Sequence, residues 1–256
     1  MSGLEVRLED NALWLRLNRP DHYNALNGEL LVGLVTELRA AGTRDDVRVV
    51  VVTGAGAAFS AGADLEGDRP QDAYDASSVQ AASELVRTVT GLGKPVVCGL
   101  NGIAAGVGMS LALACDLVVA DDTAGLTLAF SRIGLMPDGG ATSTVAASVG
   151  RARAMRLALT SDLLTATEAY DAGLVTHVFA HDAYEDELRR VVRRLAAGPP
   201  LAFAATKRAI NGATLTGLED AFDRELADQP RLLRTEDVTE GMRAFLDKRR
   251  PTFRGR

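Results

Sequence analysis

Apolar and polar residues alternate over positions 4–8 and again over 12–17. That is the period of half-buried strands, and Glu9-Asp10-Asn11 between them reads as the turn of a hairpin. Arg19-Pro20 ends the second strand. Asn27 is placed to cap a helix whose apolar face is Leu30, Leu31, Leu34, Val35 and Leu38. Positions 47–53 hold five valines in seven residues and predict a buried strand. The polar segment 66–75 reads as a mobile loop, and 79–90 as a helix. Strands that alternate with helices predict a parallel sheet with crossover helices.

The stretch 94–116, KPVVCGLNGIAAGVGMSLALACD, organises the rest. A short β-type run, Pro95-Val96-Val97-Cys98, is broken by Asn101-Gly102, as such pairs do in tight turns. Very small residues follow, Ala104 to Gly108, and then a buried helical run from Met109. Strand, glycine turn and helix together aim free N–H groups at a ligand, because the first helical turn has donors without internal partners. Small side chains let a ligand approach the backbone. This turn is therefore expected to hold an oxyanion. A plain buried strand–helix unit is the competing reading. A membrane span is disfavoured, because glycines divide the uncharged run into pieces too short to cross a bilayer.

Further along, Pro137 with Gly139 and Gly140 marks a tight loop. Beyond Gly150 the pattern is mostly helical. Thr165-Ala166-Thr167-Glu168 and Thr216-Gly217-Leu218-Glu219 both read as capping boxes. Pro199-Pro200 reads as a break, and 238–250 as a terminal helix with Met242, Phe245 and Leu246 on one side. A boundary near Gly198 divides an α/β core, 1–198, from a helical region, 199–256. The latter is too small for a strong core of its own and is expected to pack on something, another subunit included.

Composition narrows the function. The chain is 47% hydrophobic and 24% charged, as in soluble globular proteins. A net charge of −6 argues against general nucleic-acid binding. The N-terminus lacks the basic and apolar segments of a signal peptide, and Cys98 and Cys115 read as isolated buried thiols, so a cytoplasmic setting is expected. His22, His177 and His181 lack zinc-ligand spacing, and His177 reads as a strand residue. Thr53-Gly54-Ala55-Gly56 is missing the third glycine of a dinucleotide fingerprint. Ala58-Phe59-Ser60-Ala61-Gly62 is one substitution from a nucleophile elbow, but runs into polar loop instead of helix.

Several segments together resemble the crotonase (enoyl-CoA hydratase/isomerase) superfamily. They are Phe59 to Leu65, Asn101 to Gly108, Asp116, Ile133 to Gly140, Leu164 to Ala169 with Gly173-Leu174-Val175, and Phe245 to Phe253. The resemblance covers nearly the whole chain. It implies an α/β fold, a spiral of ββα units with a helical C-terminal trimerisation region, and homotrimers or dimers of trimers. It also implies acyl-CoA thioester substrates and no metal or redox cofactor.

Proton removal beside a thioester carbonyl creates an enolate, which two N–H donors on that oxygen stabilise. By resemblance the donors are the backbone amides of Ala61 and Val107, within a binding surface that includes Gly62, Ala63, Asp64, Leu65 and Gly106. Asn24, Ala25 and Leu26 match a segment lining the CoA groove. Lys248, with Arg249, matches residues that meet CoA phosphates from a neighbouring subunit. Asp64 also reads as a structural anchor of its loop. Hydratases of the superfamily use two glutamates, at the positions of Ser110 and Phe130, and neither residue here can serve as a carboxylate base. Isomerases often carry an acid in the Pro-Asp/Glu loop, and Asp138 is that residue. Its competing role is helix N-cap. The expected activity is a double-bond shift with Asp138 as acid/base; hydration of 2-enoyl-CoA and non-catalytic acyl-CoA binding are the alternatives.

Overall fold

The computed structural model describes residues 3–65 and 74–256. The expected hairpin is present as β1 (Leu4–Glu9) and β2 (Ala12–Leu17), with Glu9 opposite Ala12. Asp10 and Asn11 between them take φ of 49° and 62°, the left-handed pair that a two-residue hairpin turn needs. Asn27 caps α1 (Gly28–Thr43), its side chain accepting the Leu30 N–H at 2.9 Å.

Three ββα turns follow. The first is β3 (Val49–Gly54), β4 (Ala58–Ser60) and α2 (Ala76–Gly91). The second is β5 (Val96–Leu100), β6 (Ile103–Ala105) and α3 (Val107–Ala114). The third is β7 (Leu117–Asp121), β8 (Gly125–Thr127) and, after a 3₁₀ turn over Ala129–Ile133, α4 (Ala141–Thr160), which bends at Gly150. Then come β9 (Leu164–Thr165), α5 (Ala166–Asp171), β10 (His177–Phe179) and α6 (Tyr184–Ala196). The chain closes with α7 (Pro200–Thr214), α8 (Leu218–Leu232) and α9 (Glu236–Leu246).

Each turn lays its first strand in a six-stranded sheet, ordered β1-β2-β3-β5-β7-β10, and its second in a smaller sheet, β4-β6-β8-β9. Beyond the β1–β2 hairpin the large sheet is parallel. The valines of β3 are buried on both faces, which is why that strand reads as a continuous apolar run. The result is the spiral α/β architecture expected. The small sheet was not legible beforehand as separate elements, because β4, β6 and β8 are three residues each, too short to show a period.

Three local readings are corrected. Thr216 does not cap a helix: α8 starts at Leu218 behind Gly217, with no side-chain cap. Pro199-Pro200 stands at the break between α6 and α7, as read, and Pro200 opens α7, where its missing N–H costs nothing. The terminal helix begins at Glu236, capped by Thr235, and ends at Leu246, short of the expected 250. Asp138 is not an N-cap, because α4 begins at Ala141 after Gly140. The Thr165–Glu168 capping box and the strand position of His177 are as read.

The last helices pack on their own chain. Leu218 and Phe222 of α8 enter the main core. Val238 and Met242 of α9 pack with Leu65, Tyr74, Ile133 and Leu135. Among the described residues no helix is long and apolar enough to cross a membrane. Segment 66–73, most of the polar segment read as a mobile loop, lies outside the described residues.

Candidate active site

Two walls come together where the spiral's short strands end. The first is made of main chain. β4 and β6 run parallel, Ser60 beside Ala104, so the loops leaving them emerge together. Gly62 sits at φ +93°, and a Cβ there would lie 2.7 Å from the Ala105 carbonyl oxygen and 3.5 Å from Gly106 Cα. Only glycine permits that approach.

The amides of these loops are not equivalent. Ala61 N–H donates to the Tyr23 carbonyl at 2.9 Å, Gly62 N–H to Ser60 Oγ at 3.2 Å, and Asp64 N–H to the Leu26 carbonyl at 3.3 Å. Ala63 forms a parallel bridge with Leu26, in which the bonds are made by its neighbours, and its own N–H has no acceptor among the described residues. Across from it, Gly106 N–H is used by the Thr127 carbonyl at 3.0 Å. Val107 opens α3 and its N–H is also without an acceptor among the described residues, as first-turn amides are. The donor assigned to Ala61 is therefore corrected: that amide is occupied, and the available one is two residues on, at Ala63.

The second wall is the loop before α4. A Cβ on Gly139 would stand 3.2 Å from Ser110 Cβ and 3.6 Å from Val107 Cγ2, so this loop lies against the first turn of α3. Ser110, fully buried, donates its hydroxyl to the Asp138 carbonyl at 2.8 Å. The half-buried Asp138 accepts a hydrogen bond at Oδ2 from Gln229 Nε2, 2.9 Å away. Its pKa is pushed up to about 7, chiefly by burial; the Gln229 bond opposes the shift and the charge of Glu225 adds to it. Glu225 is buried and takes the Gly140 N–H at 2.8 Å and the Thr142 N–H and hydroxyl at 3.3 and 2.5 Å. Burial raises its pKa too, against those bonds. Gly140 is at φ +73°, and a side chain there would meet Leu218 and Phe222.

Other expected site residues fall in place differently. Phe130 is buried, with its ring 3.9 Å from where a Gly106 side chain would begin. Ser110 and Phe130 are thus both at the site, and neither carries an acid. Asn24 is a brace instead of a groove residue: it is fully buried, donates to the Ala55 and Ala58 carbonyls at 2.8 and 2.7 Å, and accepts from Arg19 N–H. Ala25 and Leu26 are buried beside it. Asp64 pairs with Arg19 at 2.8 Å, which anchors its loop. Leu65 packs toward α9. Lys248 is exposed beyond α9, and Arg249 is committed to Glu240 at 2.7 and 2.8 Å. The nucleophile-elbow alternative fails, since Ser60 donates to the buried Asn24 carbonyl and His181 pairs with Asp121. Among the described residues no cluster of His, Cys, Asp and Glu could hold a metal.

The enoyl-CoA hydratase/isomerase family model matches residues 8–256. The chain belongs to that family. It is 37% identical to the 1,2-epoxyphenylacetyl-CoA isomerase of Escherichia coli K12, and 38% identical to the 2,3-dehydroadipyl-CoA hydratase of the same strain, covering all of each chain. The crystal structure of an enoyl-CoA hydratase from Mycobacterium avium subsp. paratuberculosis K-10 superposes with a TM-score of 0.93 at 45% identity over 99% of both chains. The fold is accordingly crotonase-like, and the protein is an acyl-CoA enzyme of the enoyl-CoA hydratase/isomerase superfamily. Relatives of both reaction types stand at similar distance, so the type must be argued from the site.

Three features of this family site escaped the sequence reading: the Ala63 amide, Glu225 and Gln229. A signal existed for the last two. Leu218, Ala221, Phe222, Glu225 and Gln229 fall on one helical stripe, and all five are buried. Polar residues on an apolar stripe point inward.

Proposed function

We propose that the protein shifts a carbon–carbon double bond in an acyl-CoA, with Asp138 as acid/base and the Ala63 and Val107 amides as the oxyanion hole. The thioester oxygen rests on the two amides. Asp138 takes a proton from the carbon beside the thioester carbonyl of a 3-enoyl-CoA, and the electron pair moves into the C–O and neighbouring bonds to give a dienolate. The same proton returns to the far carbon, leaving a conjugated 2-enoyl-CoA and Asp138 ionised as before. Two amides on a developing oxyanion supply several kcal/mol, since losing one costs about 10²–10³ in rate. A carboxyl that titrates near neutrality both takes and returns a proton readily.

What supports this reading is that the loop carrying Asp138 packs against the first turn of α3, which Val107 opens, while both positions where hydratases hold glutamates are Ser110 and Phe130. The test is isomerisation of a 3-enoyl-CoA by Asp138→Asn. Turnover should fall about 10²–10⁴-fold with acyl-CoA binding retained; an unchanged rate refutes the assignment. The hydratase relative favours a second reading, in which water is activated by another group. Loss of thioester-conjugation absorbance with crotonyl-CoA would support hydration. Tight binding without turnover on a panel of 3-enoyl, 2-enoyl and ring-epoxide thioesters would support a binding role. A homotrimer or dimer of trimers would cover exposed apolar side chains such as Leu159, Leu163 and Leu201, and light scattering tests the assembly.

A further inference from the structure

We infer that Gln229 is a positioning residue for Asp138: its side-chain amide occupies one carboxylate oxygen and leaves the other to carry the substrate's proton. The inference rests on Asp138 being the acid/base.

The orientation of the Gln229 amide is fixed by Met136. The Met136 N–H donates to Gln229 Oε1 at 3.2 Å, and Gln229 Nε2 donates to the Met136 carbonyl at 2.9 Å. Turning the amide over would set donor against donor and acceptor against acceptor. One Nε2 hydrogen is therefore spoken for, and the other is directed at Asp138 Oδ2 at 2.9 Å. Gln229 is 1% exposed, so water does not compete for these bonds. Asp138 Oδ1 has no hydrogen-bond partner among the described residues. The carboxyl is thus held at one end by Gln229, and its main chain at the other by the Ser110 hydroxyl.

A carboxyl fixed this way cannot rotate to exchange its oxygens. The oxygen that removes the proton is the one that returns it, so both carbons are served from one side. The interaction is also charge-assisted when Asp138 is ionised, which favours the proton-accepting form. Among the described residues, the other titratable groups near Asp138 are Glu225, one turn earlier on α8, and Tyr74, whose hydroxyl donates to the Asp64 carbonyl at 2.6 Å. Glu225 opposes ionisation of Asp138, and the charge of Asp138 in turn raises the pKa of Tyr74, which leaves Gln229 as the support of the ionised carboxyl.

The experiment measures kcat, KM and the pH dependence of kcat/KM for 3-enoyl-CoA isomerisation with Gln229→Met, Gln229→Glu and Asp138→Asn. Gln229→Met removes the donor at similar side-chain length, and Gln229→Glu replaces the amide by a carboxyl that keeps an acceptor for the Met136 N–H. Kcat should fall on the order of tenfold to a hundredfold, with KM changed by less than about threefold, and the acid limb of the profile should move to higher pH. A folded Gln229→Met protein with wild-type kcat and an unmoved limb overturns the inference. So does a loss of rate that only tracks the folded fraction, which would make Gln229 a structural staple. Should the Met variant fail to fold, the Glu variant decides by the same criteria. A wild-type rate in Asp138→Asn would instead mean that the acid/base reading has failed. An inactive Asp138→Asn beside unaltered Gln229 variants removes the positioning role alone.

Discussion

The two walls of the site are built on opposite plans. The 60–64 and 105–108 loops present main-chain groups only, fixed by short parallel strands, a glycine contact and the buried Asn24. The loop carrying Asp138 presents a side chain, and what fixes it comes from α8, far along the chain. The amide wall can stabilise an enolate whatever proton chemistry follows. In the proposed mechanism the carboxylate wall decides where the proton goes. A family can therefore keep the first and vary the second, and relatives named for isomerisation and for hydration at nearly equal identity are the expected outcome.

The comparison can be broken from either side. The largest loss is expected at the carboxylate wall, with Asp138→Asn as above. On the amide wall, Val107→Pro deletes one N–H at a first helical position, where proline is tolerated. Kcat should drop about 10²–10³-fold, while Val107→Ala, which keeps the amide, should stay near wild type; equal rates in both would remove Val107 from the oxyanion hole. Gly62→Ala forces a Cβ against the Ala105 carbonyl at unfavourable φ. It should cost about 2–4 kcal/mol by chemical denaturation, and an unaltered midpoint would show that the loops are not held that tightly.

The pH profile sharpens the contrast. Asp138 must be ionised to accept a proton, so kcat/KM should fall as pH drops below about 7 and be flat above it. Titration of the amide wall can produce no such limb. The smallest effect concerns stability. Because the folded pKa of Asp138 is raised above the ordinary carboxylate value, its neutral form is favoured in the fold. That contribution is fully present below about pH 4 and is lost as pH rises through about 7. Asp138→Asn should consequently stabilise the protein at pH 8 by roughly 1–2 kcal/mol, seen as a higher melting temperature, with little gain at pH 4.

What could be read from the residues follows the same division. The valine strand, the Asn27 cap and the hairpin turn are local, and each was legible because its signal lies within a few positions. Asp138 was legible because its loop is marked by Pro137 and two glycines, and because acids were lacking at Ser110 and Phe130. Main-chain donors carry no side-chain label, so the free amide was placed at Ala61 when the pairing with Tyr23 and Leu26 leaves it at Ala63. Gln229 and Glu225 lie 91 and 85 residues from the groups they hold, and no spacing rule connects positions so distant. Their place on an apolar stripe was the one available clue.

The lateness of α8 has a consequence for synthesis. A chain that has left the ribosome only through α7 already contains both amide loops and Asp138. It lacks Glu225, which takes the Gly140 amide, and Gln229, which takes Asp138. Domains acquire their contacts in the order they emerge, so the amide loops can form while the carboxylate is still unanchored. On the proposed mechanism, full turnover is then expected only near the end of translation, once the last helices have docked.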